Sequence, residues 1–154
     1  MSSVSGDIGP EAEEGYAADL ERATRGLLEL NVTVLEIMAK RIGLSALGAL
    51  QSLERLGPSI VTELGDDLDL RPATASRLSD RLAETGLITR HPSPTNRRAT
   101  LLELTDAGHA VLDELVSLRR QAFTAVAQRM IDDDRDALLQ GAHAFTVARQ
   151  HLAD

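Results

Sequence analysis

Residues 85–108 read TGLITRHPSPTNRRATLLELTDAG. Two short apolar runs, LITRH and ATLLEL, flank a tip that contains two prolines, Asn96 and the adjacent pair Arg97 and Arg98. Short runs separated by proline and asparagine are typical of two antiparallel strands joined by an exposed turn. The sequence therefore predicts a β-hairpin whose tip carries two positive charges.

A basic amphipathic helix is predicted directly before the hairpin. Pro72 suits a first helical turn, and Gly86 lies where a C-terminal cap belongs. The spacing of Ala75, Leu78 and Leu82 predicts one buried stripe. The other faces then carry small and charged residues: Arg71, Ala73, Thr74, Ser76, Arg77, Asp80 and Arg81. Small side chains allow a helix to enter the DNA major groove, where arginines reach guanine edges or phosphates.

Three helices are predicted before this one. Apolar spacing over residues 16–42 indicates a long amphipathic helix that ends at Gly43. Ser45 is expected to cap a second helix, which closes at Gly57. Ser59 is expected to cap a short third helix, and the acidic segment 1–15 is expected to be flexible.

Further helices are predicted after the hairpin. Thr105 is a suitable N-cap for a long helix, and the acidic run at 132–135 breaks and restarts it, because aspartates favour helix N-termini. The predicted fold is mainly α with a small β-hairpin wing, forming a single domain over 16–154. In this division 44–104 form a winged helix-turn-helix lobe, flanked by dimerisation helices at 16–42 and 105–154.

Composition excludes several function classes. The chain of 154 residues has no cysteine, which excludes disulfides and thiolate metal sites. No apolar run approaches the roughly 18 residues of a membrane span, so the expected location is the cytoplasm. The four histidines lack the i, i+4 spacing of a metal pair. No nucleophile–base pattern or phosphate-binding glycine loop is present, so we expect no enzyme activity, metal or cofactor.

Charge is segregated along the chain. The formal net charge is -8, yet residues 71–98 hold six arginines against two acids, a net of +4. The remainder therefore carries -12. Such asymmetry points to a polyanionic partner at one surface. Aromatic residues make up only 2%, which disfavours single-stranded nucleic acid and favours double-stranded DNA. A hairpin beside a groove-bound helix can place Arg97 and Arg98 in the negative minor groove.

From about residue 44 to 115 the sequence resembles the MarR family of bacterial transcriptional regulators. The resemblance is carried by LSALGALQSL, then TASRLSDRLAETGLITR, and then the wing SPTNRRATLLELTDAG. It implies a homodimer joined by intertwined terminal helices, with one winged-helix DNA-binding lobe per subunit. It also implies control of neighbouring genes, often relieved by small phenolic or anionic ligands.

Two positions depart from the family pattern. The family wing usually reads Asp-x-Arg, with the acid bracing the arginine, whereas Asn96 takes the place of the acid here and Arg98 keeps that of the arginine. The family also often places Ser or Thr at the start of the recognition helix, where this chain has Arg71-Pro72.

Two functions are consistent with these features. The first is a sequence-specific double-stranded DNA-binding regulator, expected to be a repressor released by a small anionic aromatic ligand. The second is a winged-helix protein–protein interaction module without DNA binding. For the ligand, the seam between lobe and dimer helices is expected to use Arg22, Arg25, Asn31 and Arg41. The alternative is that these arginines pair with Glu21, Glu29 or Glu36 on their own helix.

Overall fold

The computed structural model describes residues 9–152, which form six helices and one small antiparallel sheet. In chain order, the elements are α1 (Pro10–Ile42), α2 (Leu44–Leu56), β1 (Ser59–Ile60), α3 (Val61–Asp67), α4 (Pro72–Glu84), β2 (Ile88–Pro92), β3 (Thr100–Leu104), α5 (Asp106–Ala127) and α6 (Asp132–Gln150). The sequence-based prediction of a mainly α winged helix is confirmed.

Helix α1 starts earlier than predicted. It begins at Pro10, so residues 10–15 are helical rather than flexible, while residues 1–8 lie outside the described part of the chain. Proline is favoured in a first turn, and the carboxylates of Glu11 and Glu13 there oppose the helix dipole. The acidic composition that suggested a flexible segment is therefore also that of a helix N-terminus.

Two predicted serine caps are wrong. Helix α2 begins at Leu44, because Gly43 adopts φ +88° and redirects the chain, and the side chain of Ser45 caps nothing. Ser59 lies in β1, and its hydroxyl donates to the carbonyl of Gly57 at 2.9 Å. The first turn of α3 is closed instead by Glu63, whose carboxylate accepts the Ile60 amide hydrogen at 2.8 Å.

The sheet has the order β1-β3-β2, and both pairings are antiparallel. The predicted hairpin is present: Ile88 pairs with Leu104 and Pro92 pairs with Thr100. On its other side β3 pairs with the two residues of β1. The wing is thus joined through β3 to the chain segment that leads into α3.

The hydrophobic core is built almost entirely from aliphatic side chains. Leu47, Leu50, Leu64 and Leu102 have no exposed surface, and the predicted stripe of α4 is buried among them. The core also includes Met38 near the end of α1. Burial thus joins the helix-turn-helix, the sheet and one end of α1 into one unit.

The motif Thr-Asp-Ala-Gly at 105–108 joins α5 to the base of the wing. The Thr105 hydroxyl donates to the Gly86 carbonyl at 2.6 Å and accepts the Gly108 amide hydrogen at 3.1 Å. A Cβ at Gly108 would lie 2.2 Å from the carbonyl oxygen of Leu87. Only glycine therefore permits this approach, and Thr105 is confirmed as the N-cap of α5.

Helix α6 is left uncovered by the other residues of the described range, 9–152. None of its residues is buried, and Leu139 and Phe145 are 72% and 57% exposed. Other large apolar side chains are exposed on α1 and α5, including Leu28 and Phe123. Within residues 9–152, none of the helices combines the length and apolar character needed to cross a membrane.

Candidate nucleic-acid interface

Helix α4 presents its polar residues on the side opposite its buried stripe. At about 100° per residue, Ala73 and Arg77 lie opposite Ala75 and Leu82, and both are exposed. Arg71 precedes the helix as its N-cap residue in extended conformation, and it is also exposed. Its backbone carbonyl accepts the amide hydrogens of Thr74 and Ala75. The backbone thus supplies the N-terminal contacts, and no side chain caps this helix.

One flank of α4 lines a cleft shared with the start of α2. The cleft has a volume of about 400 Å³, and its polar lining comes from Ser45, Thr74, Arg77 and Arg81. Leucines form its floor. The structure thus brings three of the predicted DNA-contacting residues together and adds Ser45, which the sequence suggested only as a helix cap.

The other flank of α4 faces the wing. Asp80 forms an ion pair with Arg90 of β2, and Ser76, one helical turn earlier, is half-buried on the same flank. Helix spacing alone would allow Asp80 to pair with Arg77, three residues before it. That pairing is not formed, and Arg77 has no ion pair within the described residues.

The tip of the wing is closed by Asn96. Its side-chain oxygen accepts the Arg98 amide hydrogen at 3.1 Å, and its backbone carbonyl accepts the Ala99 amide hydrogen at 2.8 Å. Ser93, which is buried, donates its amide hydrogen to the Ala99 carbonyl. Asn96 therefore shapes the turn through the backbone of Arg98, and the side chains of Arg97 and Arg98 remain exposed.

A second cleft, of about 370 Å³, runs along the wing. It is lined by Arg90, His91, Arg97 and Arg98, together with neighbouring backbone and small residues. His91 Nε2 lies 2.9 Å from Glu103 Oε2 on the neighbouring strand. Arg90 did not stand out in the sequence, because nothing local indicates that its side chain reaches both α4 and this cleft.

The electrostatic character of this surface follows from which charges are paired. Among the acids of this surface, Asp80 is paired with Arg90 and Glu103 is hydrogen-bonded to His91, whereas Glu84 forms no ion pair within residues 9–152. Within residues 9–152, the five predicted arginines of α4 and the wing form no ion pair: Arg71, Arg77, Arg81, Arg97 and Arg98. The positive charge is therefore available to an external anion.

The helix-turn-helix is braced below this surface by Asp67. Its carboxylate accepts hydrogen bonds from the Ser52 hydroxyl, at 2.5 Å, and from Arg55. These bonds hold the pKa of Asp67 below its usual value, and the bond from Ser52 has the largest effect. They join the end of α3 to α2 and so fix the turn that precedes α4.

The predicted ligand residues do not converge on either cleft. Arg22 pairs with Asp19 and Arg25 pairs with Glu21, both within α1. Asn31 donates to the backbone carbonyl one turn earlier, at 2.9 Å. Own-helix pairing, the alternative considered from sequence, thus describes Arg22 and Arg25, although Arg22 chooses an aspartate.

Arg41 behaves differently, because it bridges two helices. Its guanidinium lies 2.5 Å from the carboxylate of Glu114 on α5. This hydrogen bond raises the pKa of Arg41 and lowers the pKa of Glu114. The bridge joins two helices. One is the end of α1 that belongs to the core, and the other is α5, which extends beyond the lobe.

Comparison with known proteins agrees with this architecture. The MarR family model matches residues 42–100, from the end of α1 to the first residue of β3. The HTH-type transcriptional repressor MdtR of Bacillus subtilis is 26% identical over 128 residues, which cover 82% of this chain and 81% of MdtR.

Two solved structures share the fold over most of their length. RV1404 from Mycobacterium tuberculosis is 27% identical, with a TM-score of 0.71, covering 90% of this chain and 95% of that one. The transcriptional regulator Tm0710 from Thermotoga maritima has a TM-score of 0.79 at 22% identity, covering 89% and 99%. Residues 42–100 are therefore similar to the MarR family, as the sequence motifs indicated.

Proposed function

We propose that this DNA-binding transcriptional regulator is a member of the MarR family and acts as a homodimeric, sequence-specific repressor. One observation carries the proposal: within residues 9–152, five arginines without ion pairs lie at α4 and on the wing tip, while Asp80 and Glu103 beside them are engaged by Arg90 and His91 and leave Glu84 as the unpaired acid of α4. Such a surface fits a groove of double-stranded DNA with its flanking phosphates. We propose no enzymatic activity for this surface.

Each element has a separate role in the proposed complex. Helix α4 enters the major groove, where the small side chains of Ala73, Thr74 and Ser76 lie near the DNA backbone. Arg77 contacts a base edge. Arg71 and Arg81 contact phosphates on either side. The wing inserts Arg98 into the adjacent minor groove, with Arg97 beside it and Asn96 holding the turn.

The partner subunit is proposed to be a second copy of the chain. The exposed apolar side chains on α1, α5 and α6, among them Leu28, Phe123 and Phe145, exceed what a single lobe covers. A two-fold dimer through these helices would bury them and place the two copies of α4 about 34 Å apart, one turn of DNA. The expected operator is therefore a palindrome with half-sites about 10 base pairs apart.

Release by a small anionic aromatic ligand is also proposed, and the contacts of the four predicted ligand residues favour Arg41 over the other three. Arg22, Arg25 and Asn31 are engaged within α1, whereas Arg41 joins two helices through Glu114. A ligand carboxylate that replaced Glu114 on Arg41 would alter the junction between lobe and dimer helices. Calorimetry with aromatic carboxylates, comparing the parent with Arg41→Ala, tests this contact.

The experiment that tests the regulator is a binding titration on the DNA upstream of the protein's own gene. Fluorescence anisotropy would be measured against that DNA and a shuffled duplex, each over a series of salt concentrations. We expect preferential binding to one footprinted palindrome and a steep fall of affinity with salt. Arg77→Ala should weaken binding, while Arg25→Ala, the same charge change on α1, should not. Equal, weak binding to both duplexes would favour the protein–protein interaction module.

A further inference from the structure

We infer that Asp80 is a positioning residue: its ion pair with Arg90 fixes the wing against the recognition helix, so that Arg77 and Arg98 engage the operator as one coupled unit. The inference rests on the proposed function, because it concerns how that interface is held. We do not propose a direct contact between Asp80 and a base or phosphate.

The geometry joins two otherwise separate elements. Asp80 lies in the second half of α4, with its side chain 51% exposed, and Arg90 lies in the middle of β2, with its side chain 25% exposed. The backbone of Arg90 is held opposite Leu102, a fully buried residue of the central strand. The guanidinium is therefore anchored in the sheet and reaches across to α4.

The ion pair acts at the level where the fully buried apolar residues of the wing end, because Leu102 lies opposite Arg90. The hairpin is fixed at its base by Ile88, which is buried in the core. Arg90 lies two residues closer to the tip, about 7 Å further along the strand. Because Arg98 lies at the far end of the hairpin, a restraint at Arg90 limits how far the tip can swing relative to α4.

The position of Asp80 on this face requires an explanation, because phosphates repel a carboxylate that lies near DNA. Asp80 is not required to neutralise Arg77, with which it forms no pair. Exposed ion pairs also contribute little to folding stability. The role left for Asp80 is to orient the wing. Its replacement should therefore have effects of opposite sign on the affinity for the operator and the affinity for non-specific DNA.

The test compares Asp80→Asn with Glu84→Gln. Both remove one negative charge from α4, but within residues 9–152 Glu84 forms no ion pair. Glu84→Gln should strengthen binding to operator and shuffled DNA alike. Asp80→Asn should weaken operator binding about five- to tenfold per dimer, the scale of one exposed ion pair in each subunit. Its binding to shuffled DNA should stay equal or increase. Circular dichroism checks that both variants remain folded.

A double-mutant cycle adds a measurement that loss of stability would not imitate. In the parent, Arg77→Ala and Arg98→Ala should be non-additive in operator binding, because each loss relaxes the placement of the other. In the Asp80→Asn background the two should be additive. The exchange of Asp80→Arg with Arg90→Asp should restore part of the coupling.

The outcomes separate the two proposals. If the parent discriminates the operator but Asp80→Asn behaves as Glu84→Gln does, the positioning role is refuted and the regulator stands. If Asp80→Asn loses operator affinity while coupling between Arg77 and Arg98 persists, the role is also refuted. If the parent does not discriminate the operator, the proposed function fails and this inference falls with it.

Discussion

Replacing Arg77 and Arg81 separately should show which arginine reads bases and which holds phosphates. The two lie one helical turn apart on α4 and line the same cleft. Arg77 lies opposite the buried stripe and would therefore reach furthest into a groove in the proposed complex, whereas Arg81 lies to one side of the stripe. We therefore expect Arg77 to contact a base edge and Arg81 to contact a phosphate.

The magnitudes follow from the number of unpaired arginines. Five per subunit give ten per dimer, so the slope of log affinity against log salt cannot be steeper than about -9 if every arginine neutralises one phosphate. Arg81→Ala should remove about two such contacts per dimer and make the slope about 1.8 units shallower. It should weaken operator and shuffled DNA alike.

Arg77→Ala should instead leave the salt slope nearly unchanged. The loss of a base contact costs about 1–3 kcal/mol for each half-site, and preference should relax at one base pair in each half-site. The assay is anisotropy at four salt concentrations on the operator, on single-base variants and on shuffled DNA. If Arg77→Ala makes the slope shallower by the same amount as Arg81→Ala and keeps every base preference, the assignment of Arg77 to a base is wrong.

Three further changes give distinct expected outcomes. Asn96→Asp keeps the acceptor for the Arg98 amide and strengthens it by charge, so operator affinity measured by anisotropy should rise; a fall would mean that repulsion from DNA dominates. Gly108→Ala places a methyl group 2.2 Å from a backbone carbonyl oxygen and should cost about 1–3 kcal/mol in urea denaturation, whereas Gly48→Ala, which meets nothing closer than 4.0 Å, should stabilise by about 0.5–1 kcal/mol; equal effects would contradict the packing argument. The pKa of Asp67 is lower in the folded than in the unfolded protein, so the unfolded protein binds more protons, and the contribution of Asp67 to stability is present above the unfolded pKa, near 3.9, and lost as pH falls through the folded pKa. Asp67→Asn should therefore unfold at a lower urea concentration than the parent at pH 7, and the difference between the two urea midpoints should narrow below about pH 4. A difference that stays constant with pH would refute the linkage.

The elements that depend on local pattern could be predicted from the sequence. Helix α4 is an example, because Pro72 and the spacing of Ala75, Leu78 and Leu82 lie within one short segment. The hairpin is another, since its apolar runs are adjacent. Strand β1 could not be predicted, because two residues carry no periodicity and Ser59 becomes a strand only by pairing with Leu102, 43 residues later.

The site follows the same division. The exposure of Arg77 and Arg98 follows from the helix period and the turn, and the structure agrees. The partner of Asp80 could not be obtained in this way, because helix spacing offered Arg77 while the fold brings Arg90 of the wing within reach. Arg41 likewise pairs across 73 residues with Glu114. Contacts between elements decide which arginines remain unpaired.

The acidic character of the chain is compatible with binding to a polyanion because of distance and screening. Helix α1 has 33 residues, so Glu11 and Glu13 lie about 45 Å along it from its end at Ile42. At physiological ionic strength the Debye length is about 8 Å, so charges that far from the surface proposed to contact DNA exert little repulsion. Of the acids on that surface, Asp80 is paired with Arg90 and Glu103 is hydrogen-bonded to His91, which leaves Glu84 of α4 as the one without an ion pair within residues 9–152. Removing acids from the far end of α1 should therefore change operator affinity much less than removing one arginine of the wing.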